Sequence, residues 1–128
     1  MPTYLLDTSV IVDVLNAKRG RSQLLAGLLS QGHTLACCPI NVAEVYAGMR
    51  PHEAAATGSF LRSLAYFEIS WEIAKLAGEL RFHHARRGRT LSLADTLIAA
   101  VALSHDLTLV TDNVKDYPMA GLRVIAFG

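Results

Sequence analysis

The stretch Leu91-Ser92-Leu93-Ala94-Asp95-Thr96-Leu97-Ile98-Ala99-Ala100 constrains this chain more than any other. It consists of good helix formers and is apolar almost all round, and helices of that kind are buried. Asp95 interrupts it, with Leu91, Ile98 and Ala102 three or four residues away on the same helical face. A carboxylate taken out of water without a partner is costly. The fold must therefore bring Asp95 a cation, a proton or strong hydrogen-bond donors.

Short apolar runs alternate with helical patterns along the rest of the chain. Thr3–Leu6 shows no clean alternation, which suits a strand buried on both faces of a parallel sheet. Asp7-Thr8-Ser9 follows, where Thr8 or Ser9 can cap a helix from about Val10 to Asn16. A second helix runs from Arg21 to Ser30 and a strand from Thr34 to Cys38. Pro39 turns the chain into a helix over Asn41–Gly48, and Pro51 starts another that reaches Leu64. Tyr66–Ile69 reads as a strand, and Ser70 caps a long amphipathic helix closed by Gly88. After the Asp95 helix come strands at Leu107–Val110 and Arg123–Phe127. Strands alternating with helices predict an α/β fold with a mainly parallel central sheet flanked by helices.

The length of 128 residues fits one domain over 1–128, and a hydrophobic fraction of 52% is ample for a core. The apolar runs are too short to span a membrane. With no basic region ahead of the first of them, a cytoplasmic location follows. A net charge of +1 means that any affinity for nucleic acid must come from a local cluster. The two cysteines, Cys37 and Cys38, are adjacent and offer neither a disulfide framework nor metal spacing.

Asp7 follows the first strand and Asp112 the fourth, and ligands of open α/β sheets bind beyond the carboxyl ends of the strands. Glu44 and Asp95, on helices, can lean over the same edge. Clustered carboxylates repel unless a proton or cation intervenes, and hard oxygen ligands suit Mg²⁺ or Mn²⁺. Each acid also has a plainer reading. Asp7 can cap its helix, Glu44 can pair with Arg50, and Asp112 in Thr111-Asp112-Asn113 is a common turn residue.

Four blocks together resemble the PIN domain, and more closely the toxin ribonucleases of VapC type. They are Leu5–Val10, Ala43–Gly48, Leu93–Ala100 and Thr111–Tyr117, in the family's order. The resemblance implies a single PIN-like domain and a metal-dependent endoribonuclease using Mg²⁺ or Mn²⁺. Asp7, Glu44 and Asp95 match its core acids. By that match Asp7 and Asp95 hold the principal ion, and Glu44 binds it through water or orients the attacking water. The family often carries a fourth acid two residues after the threonine, where this chain has Asn113, with Asp112 and Asp116 close by. Thr8, Ser9 and Thr111 match positions that hydrogen-bond acids or water. The resemblance further implies an RNA substrate, a homodimer and a cognate antitoxin lying in an apolar groove. Leu24–Leu29 and Val45–Met49 are candidate walls of that groove.

Arg86, Arg87 and Arg89 lie in the densest basic stretch, which reads as a solvated helix end or as a phosphate-tracking patch; Arg50 is a further candidate on the RNA path. Two other functions compete. One is a non-catalytic PIN-like RNA-binding module, which Asn113 favours. The other is a Mg²⁺-dependent phosphotransfer domain, which the absence of an Asp-x-Asp pattern at Asp7-Thr8-Ser9 disfavours.

Overall fold

Among residues 2–126, which the computed structural model describes, the chain forms five strands and six helices. The order is β1 (Thr3–Leu6), α1 (Thr8–Leu15), α2 (Arg21–Ser30), β2 (Thr34–Cys37), α3 (Pro39–Gly48) and α4 (Ala54–Ser63). It continues with β3 (Ala65–Tyr66), α5 (Trp71–Ala85), α6 (Leu93–Ser104), β4 (Thr108–Val110) and β5 (Arg123–Ile125). All neighbouring strands pair in parallel, in the order β3-β2-β1-β4-β5. Residues 1, 127 and 128 lie outside the description, so the end predicted for the last strand at Phe127 does too.

The sheet is buried on both faces, and successive strand residues serve opposite cores. Leu5 and Leu109 join Ile73, Ala77 and the buried face of α6 on one side. Leu6 and Val110 join Val10, Ile11, Leu25, Val45 and Leu61, from α1 to α4, on the other. This is the period of two expected of a pleated strand. It explains why β1 and β4 read as continuous apolar runs: neither face meets water. No helix of the described residues is long and apolar enough to cross a membrane.

Four boundaries differ from the sequence reading. Asp7 itself caps α1, its carboxylate accepting from the Thr8 N–H at 2.8 Å, because the backbone is still extended at Asp7. Pro51 begins a separate 3-10 turn, Pro51–Glu53, in which the Glu53 carboxylate accepts from the Arg50 N–H at 2.7 Å. The strand predicted at Tyr66–Ile69 is shorter and earlier, at Ala65–Tyr66. Phe67 still donates its N–H to the Cys37 carbonyl at 3.0 Å, but Phe67 and Ile69 then pack into the core as the chain turns toward the Ser70 cap. A further 3-10 turn, Val114–Asp116, lies between β4 and β5.

Leu109 is fully buried at the centre of the sheet. Leu109→Ala is expected to cost roughly 2–5 kcal/mol, as lost transfer energy plus a cavity. Urea unfolding should show a lowered midpoint with an unchanged slope.

Candidate active site

The strand order reverses direction at β1. The chain moves outward through β2 and β3, then returns to β4 on the other side of β1. Such a switch point opens a crevice beyond the strand ends. Asp7 leaves β1 there, its N–H donating to the Val110 carbonyl at 2.8 Å, and Thr111 leaves β4 beside it.

Asp7 is only 7% exposed and is held from three directions. Thr111 Oγ1 donates to its Oδ2 at 2.6 Å, while the Thr8 N–H and the Tyr117 hydroxyl donate to Oδ1 at 2.8 and 3.1 Å. Burial nevertheless pushes its pKa above the usual carboxylate value. The donors from Thr111, Thr8 and Tyr117 pull the other way, and the charge of Asp95 adds to the rise.

Asp95 is half-buried in the first turn of α6, and not in the middle of a fully buried helix, because the helix starts only at Leu93. Ser92 caps the helix by accepting from the Asp95 N–H at 3.0 Å. A carboxylate near a helix N-terminus is favoured by the peptide dipoles. The Tyr117 hydroxyl reaches Asp95 Oδ1 at 3.1 Å and so joins the two acids. Burial raises the phenol pKa, and the charges of Asp7 and Asp95 raise it further, which keeps Tyr117 a proton donor.

Glu44 is exposed on α3 and takes part through a relay. The Cys38 N–H donates to Asn41 Oδ1 at 2.9 Å, and Asn41 Nδ2 donates to Thr8 Oγ1 at 3.1 Å. Thr8 Oγ1 in turn donates to Glu44 Oε1 at 2.6 Å. Asn41 is fully buried, so the relay is fixed at its base.

The three acids are thus linked without meeting at one point. No three Asp, Glu, His or Cys side chains among the described residues are gathered closely enough to hold one ion. Asp7 and Asp95 form an inner pair, with Glu44 one residue further out through Thr8. This donor set fits Mg²⁺ or Mn²⁺, because such ions take one or two carboxylates and keep several waters.

Of the candidates for the fourth position, Asp112 is engaged by arginines. Asp112 forms an ion pair with Arg21, which is only 3% exposed, and lies 3.3 Å from Arg19 Nη1. Asn113 is exposed, and its backbone N–H donates to Thr111 Oγ1 at 3.0 Å. Asp116 is half-buried in the 3-10 turn. Ser9 Oγ is buried with no hydrogen-bond partner among the described residues.

Arg50, Arg86, Arg87 and Arg89 are all exposed. The Arg86 guanidinium sits 5.5 Å from the centroid of the Phe82 ring. Arg89 donates to the Lys115 carbonyl, which lays the basic segment against the turn that carries Tyr117. Among the hollows on the α1–α4 side, two border the predicted groove walls. The larger, of about 490 Å³, is lined by Val14, Leu25, Leu29 and Phe60 among others, and the smaller by Val45 and Met49. Both predicted groove walls therefore border open space.

Sequence reasoning assigned no role to Tyr117 or Asn41, and it placed Arg21 with Arg50 on a possible edge of the RNA path, whereas Arg21 is buried against Asp112. Tyr117 closes a recognised block, and its hydroxyl was the available signal. Asn41 stands three residues after Cys38, the spacing of a helix cap.

Comparison with known proteins gives the family and the fold. A family model described as the PIN domain matches residues 4–116. Ribonuclease VapC19 of Mycobacterium tuberculosis is 33% identical over 90% of this chain and 92% of its own length. The crystal structure of VapBC2 from Rickettsia felis, bound to a promoter DNA fragment, superposes with a TM-score of 0.85 at 26% identity, covering 97% of this chain and 98% of that one. DNA-bound VapBC from Salmonella typhimurium shares the fold, with a TM-score of 0.84 at 21% identity and full coverage of both chains.

The raised pKa of Asp7 has a definite sign. The folded state binds this proton more tightly than the unfolded chain, so the group favours folding at low pH. That contribution is lost as pH rises through the folded pKa. Asp7→Asn, measured with chelator present, should therefore raise the melting temperature at neutral pH. The gain should shrink as pH falls toward about 4, where the unfolded carboxyl is itself protonated.

Proposed function

Because this chain belongs to the PIN-domain family, we propose that it is a metal-dependent endoribonuclease and the toxin of a toxin–antitoxin pair, with Asp7, Glu44 and Asp95 as its catalytic acids. The observation that carries this reading is the pair of carboxylates at the strand switch point, Asp7 and Asp95, gathered about one hydroxyl. Two acids have no structural reason to share such a place, since each raises the cost of ionising the other.

Asp7 and Asp95 would hold Mg²⁺ or Mn²⁺, and Glu44 would reach it through water. When bound, the ion supplies Lewis acidity for attack of water on phosphorus and offsets the charge that develops on the phosphate. The chain's own groups do the positioning. Thr111 and the Thr8 amide fix the rotation of the Asp7 carboxylate, and Thr8 Oγ1 fixes that of Glu44. Glu44 is exposed, so it can accept a proton from an attacking water and release it to solvent. Arg50, Arg86, Arg87 and Arg89 would track RNA phosphates, where long cations bind without reading sequence.

The VapC19 relative is named a ribonuclease, and the solved relatives are VapBC complexes. On that likeness we further propose RNA as the substrate and a cognate antitoxin as partner; a homodimer and a cytoplasmic location complete the proposal by the family resemblance alone. The hollow beside Leu25 and Leu29 suits an apolar antitoxin segment, because Leu29 is 55% exposed at its rim. A second reading, a PIN-like module that binds RNA without cutting it, draws on the loss of Asp112 to Arg21 and on the amide at Asn113, which leave the site short of a fourth charge.

Cleavage separates the two. The purified chain, freed of antitoxin, should cut single-stranded or looped RNA when Mg²⁺ or Mn²⁺ is added. Asp7→Asn should slow cutting by about a thousand-fold, the rate equivalent of ~4 kcal/mol, and leave RNA affinity nearly unchanged. Equal cutting by both preparations would mean a contaminant nuclease. RNA binding with no cutting on a broad RNA panel would favour the binding module.

The basic segment has its own readout. Arg86→Ala with Arg87→Ala should weaken RNA binding and reduce the slope of log affinity against log salt by roughly 0.7 per lost phosphate contact. An unchanged slope would return these arginines to a solvated helix end.

A further inference from the structure

The space between the two inner carboxylates is taken by a side chain. Tyr117 Oη lies 3.1 Å from Asp7 Oδ1 and 3.1 Å from Asp95 Oδ1. Its ring is 4% exposed and belongs to the core formed with Ile98, Leu109 and Met119, so packing holds the hydroxyl in place.

A phenol carries one proton and can satisfy one anion with it. The two distances are equal, so the single proton can serve either acid but only one at a time. The other carboxylate oxygen then faces the lone pairs of the Tyr117 oxygen. The contact is tolerable while nothing better is at hand. A divalent ion is better for both acids at once, because it draws the same oxygens to roughly 2.0–2.1 Å and neutralises both charges.

We infer that Tyr117 is a positioning residue whose hydroxyl stands in for the cation: it gathers Asp7 and Asp95 about one point in the metal-free protein and is displaced from between them when a divalent ion binds. This rests on the metal-site reading above. Tyr117 follows the 3-10 turn Val114–Asp116, which lies outside the sheet and is closed by Asp116 N–H to the Asn113 carbonyl at 2.9 Å and Tyr117 N–H to the Val114 carbonyl at 3.0 Å.

The test compares wild type with Tyr117→Phe, which keeps the buried ring and removes the hydroxyl. Mn²⁺ is titrated into the metal-free full chain and followed by calorimetry and by near-ultraviolet tyrosine absorption. Wild type should show a tyrosine difference signal on Mn²⁺ binding, and Tyr117→Phe should lack it. Tyr117→Phe should also bind Mn²⁺ about ten-fold more tightly, the equivalent of one hydrogen bond to a charged group no longer broken. Tyr4→Phe, Tyr46→Phe and Tyr66→Phe should each retain the signal, which assigns it even if Tyr117→Phe does not fold. An unchanged affinity and no tyrosine signal would reduce Tyr117 to core packing. Weaker binding by Tyr117→Phe would make the hydroxyl part of the metal's own coordination, and either result overturns the inference while leaving the metal site intact. Failure of wild type to bind Mn²⁺ at all would overturn both, and the RNA-cutting comparison with Asp7→Asn would then judge the nuclease reading separately.

Discussion

Asp7 ends a strand whose two preceding residues are completely buried, and it carries a carboxylate into a place with almost no water. It is tolerated because β1 and β4 are adjacent and parallel, so that Thr111 leaves β4 level with Asp7 and offers a hydroxyl. The helix that follows contributes the Thr8 amide, one of the donors that every helix start leaves unpaired. A change of register between β1 and β4 would remove Thr111 and put apolar residues against the acid. The pairing of these two short strands is therefore the feature from which the rest of the site is built. The remaining members attach to it: Asp95 and Tyr117 from one side of the sheet, Thr8 and Glu44 from the other.

Charge around the centre is divided between groups that are satisfied and groups that are not. Asp112 is neutralised by Arg21 in a nearly dry ion pair, with Arg19 alongside. Breaking such a pair by removing one partner is far more damaging than its small net contribution suggests, because it strands the other charge. Asp112 is thus committed to holding the start of α2 against the end of β4. Asp7 and Asp95 have donors but no cation in their first shell of contacts.

Much of this organisation could be read from residues. Thr3–Leu6 announced a doubly buried strand because it does not alternate, and Ser70 and Ser92 announced helix starts by chemistry that is local. Asp95 stood out because a carboxylate in apolar company is conspicuous, and Asp7 because it follows a strand. The relay from Asn41 to Glu44 was invisible, since Thr8 and Asn41 are 33 residues apart and nothing local joins them. Arg21 read as one of the exposed cations of an RNA path, and only the tertiary fold covers it. The early end of β3 was missed for a similar reason: Phe67 and Ile69 have strand propensity, but the core claims their side chains. Tyr117 was quoted only as the last residue of a block; its ring is core, and its hydroxyl meets Asp7 and Asp95 through contacts that no local pattern displays.

The brevity of β3 has a consequence for how this molecule can meet others. With two residues in the ladder, that margin of the sheet presents too few free backbone groups for an incoming strand to zip onto. Recognition along it by strand addition would gain only a rung or two. A protein partner must instead be captured by burying side chains between helices, as in the hollow beside Leu25. Affinity obtained that way is governed by dehydration of apolar surface and carries a negative heat-capacity change, so the complex should loosen on cooling more than a hydrogen-bonded strand pairing would.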